Sequence, residues 1–331
     1  MSELEQVIQG LPDQLRQGWE LADDFKAEGK FKNIVVCGMG GSLKPGRILR
    51  LLLTDAFNKK KIKKYFPVIL GADYSLPPEA TKDSLVLCIS YSGNTEETLE
   101  VYRQARDAEL EIFTFSAGGQ LEELAVKNST PHIKIPRGVQ PRMAIGYFMG
   151  AILRFLTNSK IIDGEKIISQ AADSLEQNLS LLQAEGKKLA MGLKNKIPII
   201  YASSFFAPMA MTWKINFNEN VKIPAFFNEI PEMNHNEING FVQKLADFKI
   251  LILQDENDHP RIIKRMAVMK QVLEKKGIEV VIINIPQSED LLYKIMALDL
   301  ISYSIALHLA QAYGIDPIPV AIVEEFKKLM G

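Results

Sequence analysis

The sequence predicts an α/β fold built from two doubly wound parallel sheets with flanking helices. Short runs rich in Val and Ile alternate with helical stretches, and several of those runs end in loops rich in glycine or hydroxyl side chains. Spacing adds a third sign. The interval from the strand starting at Asn33 to that starting at Ser84 nearly equals the interval from Ile197 to Phe248, which hints at a duplicated domain. Two unrelated α/β domains with ordinary element lengths would give the same interval.

Taken in order, residues 2–29 place apolar side chains at Leu4, Ile8, Leu11, Leu15 and Trp19, a helical period, so a helical segment interrupted or restarted at Pro12 is expected. Residues 33–37, Asn-Ile-Val-Val-Cys, read as a strand that runs into Gly38-Met39-Gly40-Gly41-Ser42 and then a helix over 48–57. The same grammar recurs at 68–70, at 84–89 followed by a helix over 96–106, and at 111–115 followed by a helix over 120–127. Residues 132–135 add a short strand. A long helical region between Met143 and Leu193 leads to the second series of strands, at 197–201, 248–253 and 278–285. Lys327 and Lys328 fall in the last turn of a helix that follows Asp316-Pro317-Ile318-Pro319, where lysines complement the helix dipole.

With 331 residues, 47% of them hydrophobic, the chain is long enough for two medium domains. Its 39 basic and 40 acidic residues leave a net charge of −1, so no field gathers nucleic acid or an anionic membrane and an anionic ligand must be held locally. Cys37 and Cys88 both lie in apolar strand runs, which points to reduced, buried thiols and a cytoplasmic protein. The acidic start of the chain does not read as a secretion signal, and no uncharged apolar run of about 18 residues reads as a membrane span.

The loop Ser90-Tyr91-Ser92-Gly93-Asn94-Thr95 puts three hydroxyls, an amide and a glycine between a buried strand and a helix N-terminus, a receptor for a phosphate dianion. Ordinary capping, with Asn94 as N-cap and Glu97 reaching back, is the competing account. The corresponding loop of the second series, Gln254-Asp255-Glu256-Asn257-Asp258, carries three carboxylates that would repel phosphate. The glycines at 38–41 fail the dinucleotide fingerprint, since its third glycine would fall on Leu43, and they fit a sugar lying against the turn or a purely structural turn. Arg142, between loop and helix in Pro141-Arg142-Met143, suits a developing oxyanion or solvent. Asn218-Glu219-Asn220 and Asn234-His235-Asn236-Glu237 supply a carboxylate and an imidazole, enough to open a sugar ring and move a proton between adjacent carbons; exposed polar turns are the alternative. The four histidines, His132, His235, His259 and His308, form no metal-binding pattern, so no metal and no cofactor are expected.

Read in order, GMGGS, SYSGNT, PR, NEN and NHNE make the chain resemble the bifunctional phosphoglucose/phosphomannose isomerases, which have two SIS (sugar isomerase) domains. The resemblance implies a first SIS domain at 1–152 with the phosphate site and a second at 153–331 with the catalytic Glu and His. It implies that Ser90, Ser92 and Thr95 hold the phosphate and that Gly40, Gly41 and Ser42 lie beside the sugar. Glu219 would be the base, Arg142 would stabilise the cis-enediolate, and His235, supplied by the neighbouring subunit of a homodimer, would open the ring. Lys327 matches the family's C-terminal lysine, with Lys328 adjacent. The implied reaction interconverts glucose 6-phosphate, and mannose 6-phosphate, with fructose 6-phosphate. The chain departs from the family after GGS, at Leu43-Lys44-Pro45-Gly46, and near Ile318, where a threonine that helps turn the open-chain sugar is expected; its absence bears on the mannose epimer. A non-catalytic SIS sensor of sugar phosphates would need only the first-half loop; an amino-sugar isomerase and a nicotinamide oxidoreductase fit less well.

Overall fold

The structure, a computed structural model, describes residues 2–330. Helix α1 (Glu3–Glu20) runs through Pro12 without a break, contrary to the interruption expected there. Proline removes one backbone hydrogen bond and costs about 3 kcal/mol inside a helix, but burying Leu4, Val7, Ile8, Leu11 and Leu15 along one face offsets it at about 1.5–3 kcal/mol each.

One compact unit comprises residues 10–176 and 290–293. Its strands β1 (Asn33–Cys37), β2 (Val68–Gly71), β3 (Ser84–Ile89), β4 (Glu111–Ser116) and β5 (His132–Lys134) form a wholly parallel sheet in the order β2-β1-β3-β4-β5. All six residues of β3 are buried, as its unbroken apolar run requires of a central parallel strand. Helices α2 (Lys44–Asn58), α3 (Glu96–Asp107) and α4 (Gly119–Lys127) each follow a strand. The helical region after Met143 resolves into α5 (Ile145–Asn158) and α6 (Glu165–Met191), separated by a turn in which Lys160 takes a left-handed φ of 57°.

The other unit gathers the described residues within 1–9, 177–289 and 294–331. Here β6 (Ile197–Ser203), β7 (Phe226–Ile230), β8 (Phe248–Gln254) and β9 (Glu279–Asn284) form a second parallel sheet in the order β7-β6-β8-β9. Helix α7 (Ala207–Asn216) joins β6 to β7, and α8 (Pro260–Glu274) joins β8 to β9. Helix α9 (Leu291–Tyr313) is long and apolar enough to cross a membrane, yet most of it is buried within the protein. It belongs to the core, where Trp213 Nε1 of α7 donates to Leu298 O at 3.0 Å and Ser304 Oγ donates to Gln183 O of α6 at 2.8 Å. Helix α10 (Ala321–Met330) buries no side chain.

Replacing β1, β2, β3 and β4 by β6, β7, β8 and β9 turns the first strand order into the second, short of its last strand. In both sheets the direction of strand addition reverses on either side of the first strand, at β1/β3 and at β6/β8. Ligands of open parallel sheets bind outside the carboxyl ends of the strands at such a reversal.

Candidate active site

The reversal point of the first sheet collects the first-half motifs. Cys37 is in register with Cys88, so the loop of Gly38 to Ser42 and the loop of Ser90 to Thr95 leave the sheet side by side. Ser90 is fully buried; its Oγ lies 2.8 Å from Thr95 Oγ1 and accepts from Gly93 N at 3.1 Å. Ser92 is exposed, and its Oγ accepts from Asn94 N at 3.2 Å. Thr95, not Asn94, precedes the first turn of α3, and it makes no side-chain capping bond. Asn94 reaches instead to the next helix, accepting from Gln120 N at 3.0 Å. The simple capping account of this loop therefore fails at Asn94. What stands at the helix N-terminus is a hydroxyl cluster beside backbone N–H groups, the chemistry of a phosphate receptor. Glu96 and Glu97 also lie in that first turn, and Tyr74 OH draws the Glu96 carboxylate aside with a 3.0 Å hydrogen bond.

A short 3-10 turn carries Gly40, Gly41 and Ser42, and another, Pro141–Met143, carries Arg142. The two turns touch backbone to backbone. A Cβ on Gly41 would lie 2.8 Å from Arg142 Cα, so only glycine permits the approach. Arg142 is buried at 4% exposure and Ser42 at 6%, and Ser42 Oγ accepts from Tyr91 N at 3.1 Å. Gly40, Gly41, Ser42, the 90–95 loop and Arg142 are thus one local constellation, although Arg142 is far from the others in sequence.

In the other unit, Glu219 is half-buried on a π-helical turn, Phe217–Val221, that continues α7. The turn ends at Lys222 in left-handed conformation, φ 60°, whose ammonium donates to the Glu219 and Pro317 carbonyls. Asn218 Nδ2 donates to Ile223 O at 2.9 Å. Such single π turns recur where a helix must re-aim a side chain. His235 is exposed at the end of a 3-10 turn, Glu232–His235. Glu237, two residues on, fastens this turn to the sheet: it accepts from Tyr201 OH of β6 at 2.5 Å and from Asn228 Nδ2 of β7. Burial, with the Glu237 carboxylate beside it, pushes the Tyr201 phenol far above its usual range. Lys327 and Lys328 are exposed on α10.

At the second sheet's reversal point one of the three carboxylates has an internal partner. Asp255 is buried and paired with buried Lys294 of α9, Nζ to Oδ2 at 2.8 Å and to Oδ1 at 3.1 Å. Burial raises the Asp258 carboxyl from its ordinary value. An internal cation already answers this loop. The spacing of Asp255 gave no sign of Lys294, 39 positions away. Among the described residues no group of three or more His, Cys, Asp or Glu side chains is placed to hold a metal ion.

Solved structures share this architecture. A phosphosugar isomerase described as putative, from Clostridium difficile 630, superposes with TM-score 0.74 at 17% identity, covering 96% of this chain and 95% of that one. Tagatose-6-phosphate ketose/aldose isomerase from Escherichia coli gives 0.70 at 17% identity, with the same coverage. The fold is therefore that of the phosphosugar isomerases. Residues 182–330 match the bacterial phospho-glucose isomerase C-terminal SIS domain. Over 331 residues the chain is 34% identical to the bifunctional phosphoglucose/phosphomannose isomerase of Aquifex aeolicus, covering 99% of this chain and 98% of that one. It is 30% identical to its namesake in Thermoplasma acidophilum, over 98% and 97%. A D-glucosamine-6-phosphate 4-epimerase of Sulfolobus acidocaldarius is 33% identical over 69% of this chain and 70% of its own. The chain belongs to the family of bifunctional phosphoglucose/phosphomannose isomerases, as its ordered motifs suggested.

Proposed function

We propose that this chain interconverts glucose 6-phosphate and mannose 6-phosphate with fructose 6-phosphate, without a metal, through a cis-enediolate. The observation that carries the reading is the match with isomerases of that name along nearly the whole chain. The hydroxyl loop at the first reversal point supports a phosphate anchor. Ser92, Thr95 and the first N–H groups of α3 take the phosphate, and Ser90 contributes through its hydroxyl contact with Thr95. Gly40, Gly41 and Ser42 lie along the sugar. His235 opens the ring by moving the proton of the O1 hydroxyl to the ring oxygen as the C1–O5 bond breaks and the C1 aldehyde forms. Glu219 then removes the proton from C2 of the open aldose and returns it to C1, while a proton passes from O2 to O1, so that aldose becomes ketose with no net loss of atoms. Arg142 stabilises the oxyanion that forms between the two transfers. Lys327 is the lysine of the set.

Two SIS domains arose by duplication in this reading, which the matching strand orders support. The working form is a homodimer with His235 supplied by the partner, and buried unpaired Cys37 and Cys88 fit the cytoplasm. Turnover of both epimers in the presence of a chelator, with Glu219→Gln abolishing it while inorganic phosphate still binds, is the expected result. Retained turnover in Glu219→Gln removes that residue from its role, and a folded protein that binds phosphate without turnover is the sensor. The epimerase relative motivates a second reading, chemistry at C4 of glucosamine 6-phosphate. An assay on that sugar separates the two.

A further inference from the structure

Tyr91, the residue between Ser90 and Ser92, ties its own loop to the turn at 38–42 and to the segment at 136–139. Its N–H donates to Ser42 Oγ at 3.1 Å, and its carbonyl accepts from Ala117 N at 2.9 Å. The phenol donates to Pro136 O at 3.0 Å and accepts from Val139 N at 3.3 Å. The ring is 8% exposed and meets Phe148 of α5 edge-on, with centroids 6.3 Å apart. Arg137 holds the same segment from its other side: Arg137 Nε donates to Ala117 O at 2.7 Å, closing a ring of bonds through Tyr91, Ala117 and residues 136–139. That segment leads within a few residues to Arg142, which rests against Gly41. A chain with so little regular structure on its way from β5 to α5 has few other means of keeping register.

We infer that Tyr91 is a positioning residue: with Arg137 it clamps residues 136–139 and so sets Arg142 against the loop that holds the phosphate. The inference rests on the assignment of Arg142 to oxyanion stabilisation. Loss of the clamp leaves the hydroxyls of the anchor in place and lets the guanidinium drift, and a shift of about 1 Å at such a group can cost two orders of magnitude in rate. The expected signature is thus in kcat rather than in phosphate affinity.

The test measures kcat, KM and inhibition by inorganic phosphate for Tyr91→Phe, Arg137→Met and Arg142→Lys. In Tyr91→Phe, kcat falls about tenfold or more while KM and phosphate inhibition stay within about twofold. Arg137→Met reproduces the signature more weakly. In the Arg142→Lys background, Tyr91→Phe adds less than about twofold, because the two act through one group. Wild-type kcat in Tyr91→Phe beside an impaired Arg142→Lys overturns the inference alone. So does an equal loss from Tyr91→Phe in both backgrounds, or phosphate inhibition weakened in step with kcat. Wild-type kcat in Arg142→Lys strikes the assignment of Arg142 itself, and the inference goes with it. Should Tyr91→Phe fail to fold, Arg137→Met decides: Arg137 is exposed, and its replacement leaves the core intact.

Discussion

At Gly93 the phosphate loop turns through φ +73°, and a Cβ there would lie 1.7 Å from Gly118 O. Neither the conformation nor the space admits a side chain. Gly93→Ala should cost more than about 2 kcal/mol in urea unfolding and weaken inorganic phosphate binding measured by competition. An unchanged phosphate affinity would mean that the loop is not the anchor. Two thiols offer a second check at this scale. Burial pushes the Cys37 thiol up to about 12 and the Cys88 thiol well above its ordinary range. Both should resist a disulfide reagent at neutral pH until the protein is unfolded. The sequence singled out the residues proposed as the anchor but not how they pair with one another. Only coordinates reveal that Ser90 is buried and braces Thr95, and that Asn94 serves α4.

Among the elements, the two reversal-point loops solve opposite problems. The first leaves a helix N-terminus with hydroxyls; the second encloses Asp255 with Lys294. Lys294→Met would strand a buried carboxylate, and breaking such a pair costs about 3–5 kcal/mol, read as a lower midpoint of denaturation. Replacing both partners with apolar residues should recover much of that loss. The edge between β4 and β5 carries a pH effect. Burial lowers the His132 pKa, and its Nδ1 lies 2.8 Å from Thr114 Oγ1. The unfolded chain therefore takes up a proton before the folded one does. Stability is full above the unfolded value of about 6.5 and falls as the pH drops below it. His132→Gln should flatten that part of the profile in urea unfolding at a series of pH values. Element by element, β3 was legible because a parallel strand buried along its whole length leaves an unbroken apolar run. Strand β7 was not, since Phe226 and Phe227 are exposed on an edge between Pro224 and Pro231. Helix α9, apolar on nearly every face, leaves no 3.6-residue period to read.

For the whole molecule, the family match along nearly the whole chain makes it an isomerase. Of the residues proposed for its chemistry, the 90–95 loop and Arg142 belong to one unit and Glu219, His235 and Lys327 to the other. The proximity of Gly41 to Arg142 was not readable from spacing, because contact between distant loops depends on strand order, and that is a property of the assembled sheet. If His235 acts on the partner's substrate, Glu219→Gln and His235→Ala chains, each inactive alone, should regain about a quarter of wild-type activity when refolded together in equal amounts. Half the dimers are then mixed, and each mixed dimer keeps one intact site. No recovery would place His235 and Glu219 of the same chain at the same substrate.

The most direct test of the central claim is to follow glucose 6-phosphate and mannose 6-phosphate by NMR in deuterated water with a chelator present. The wild-type protein should convert both to fructose 6-phosphate, with solvent deuterium entering at the carbon that receives the transferred proton, and Glu219→Gln should do neither. A folded wild-type protein that leaves both sugars unchanged, or a Glu219→Gln variant that converts them at the wild-type rate, would contradict it.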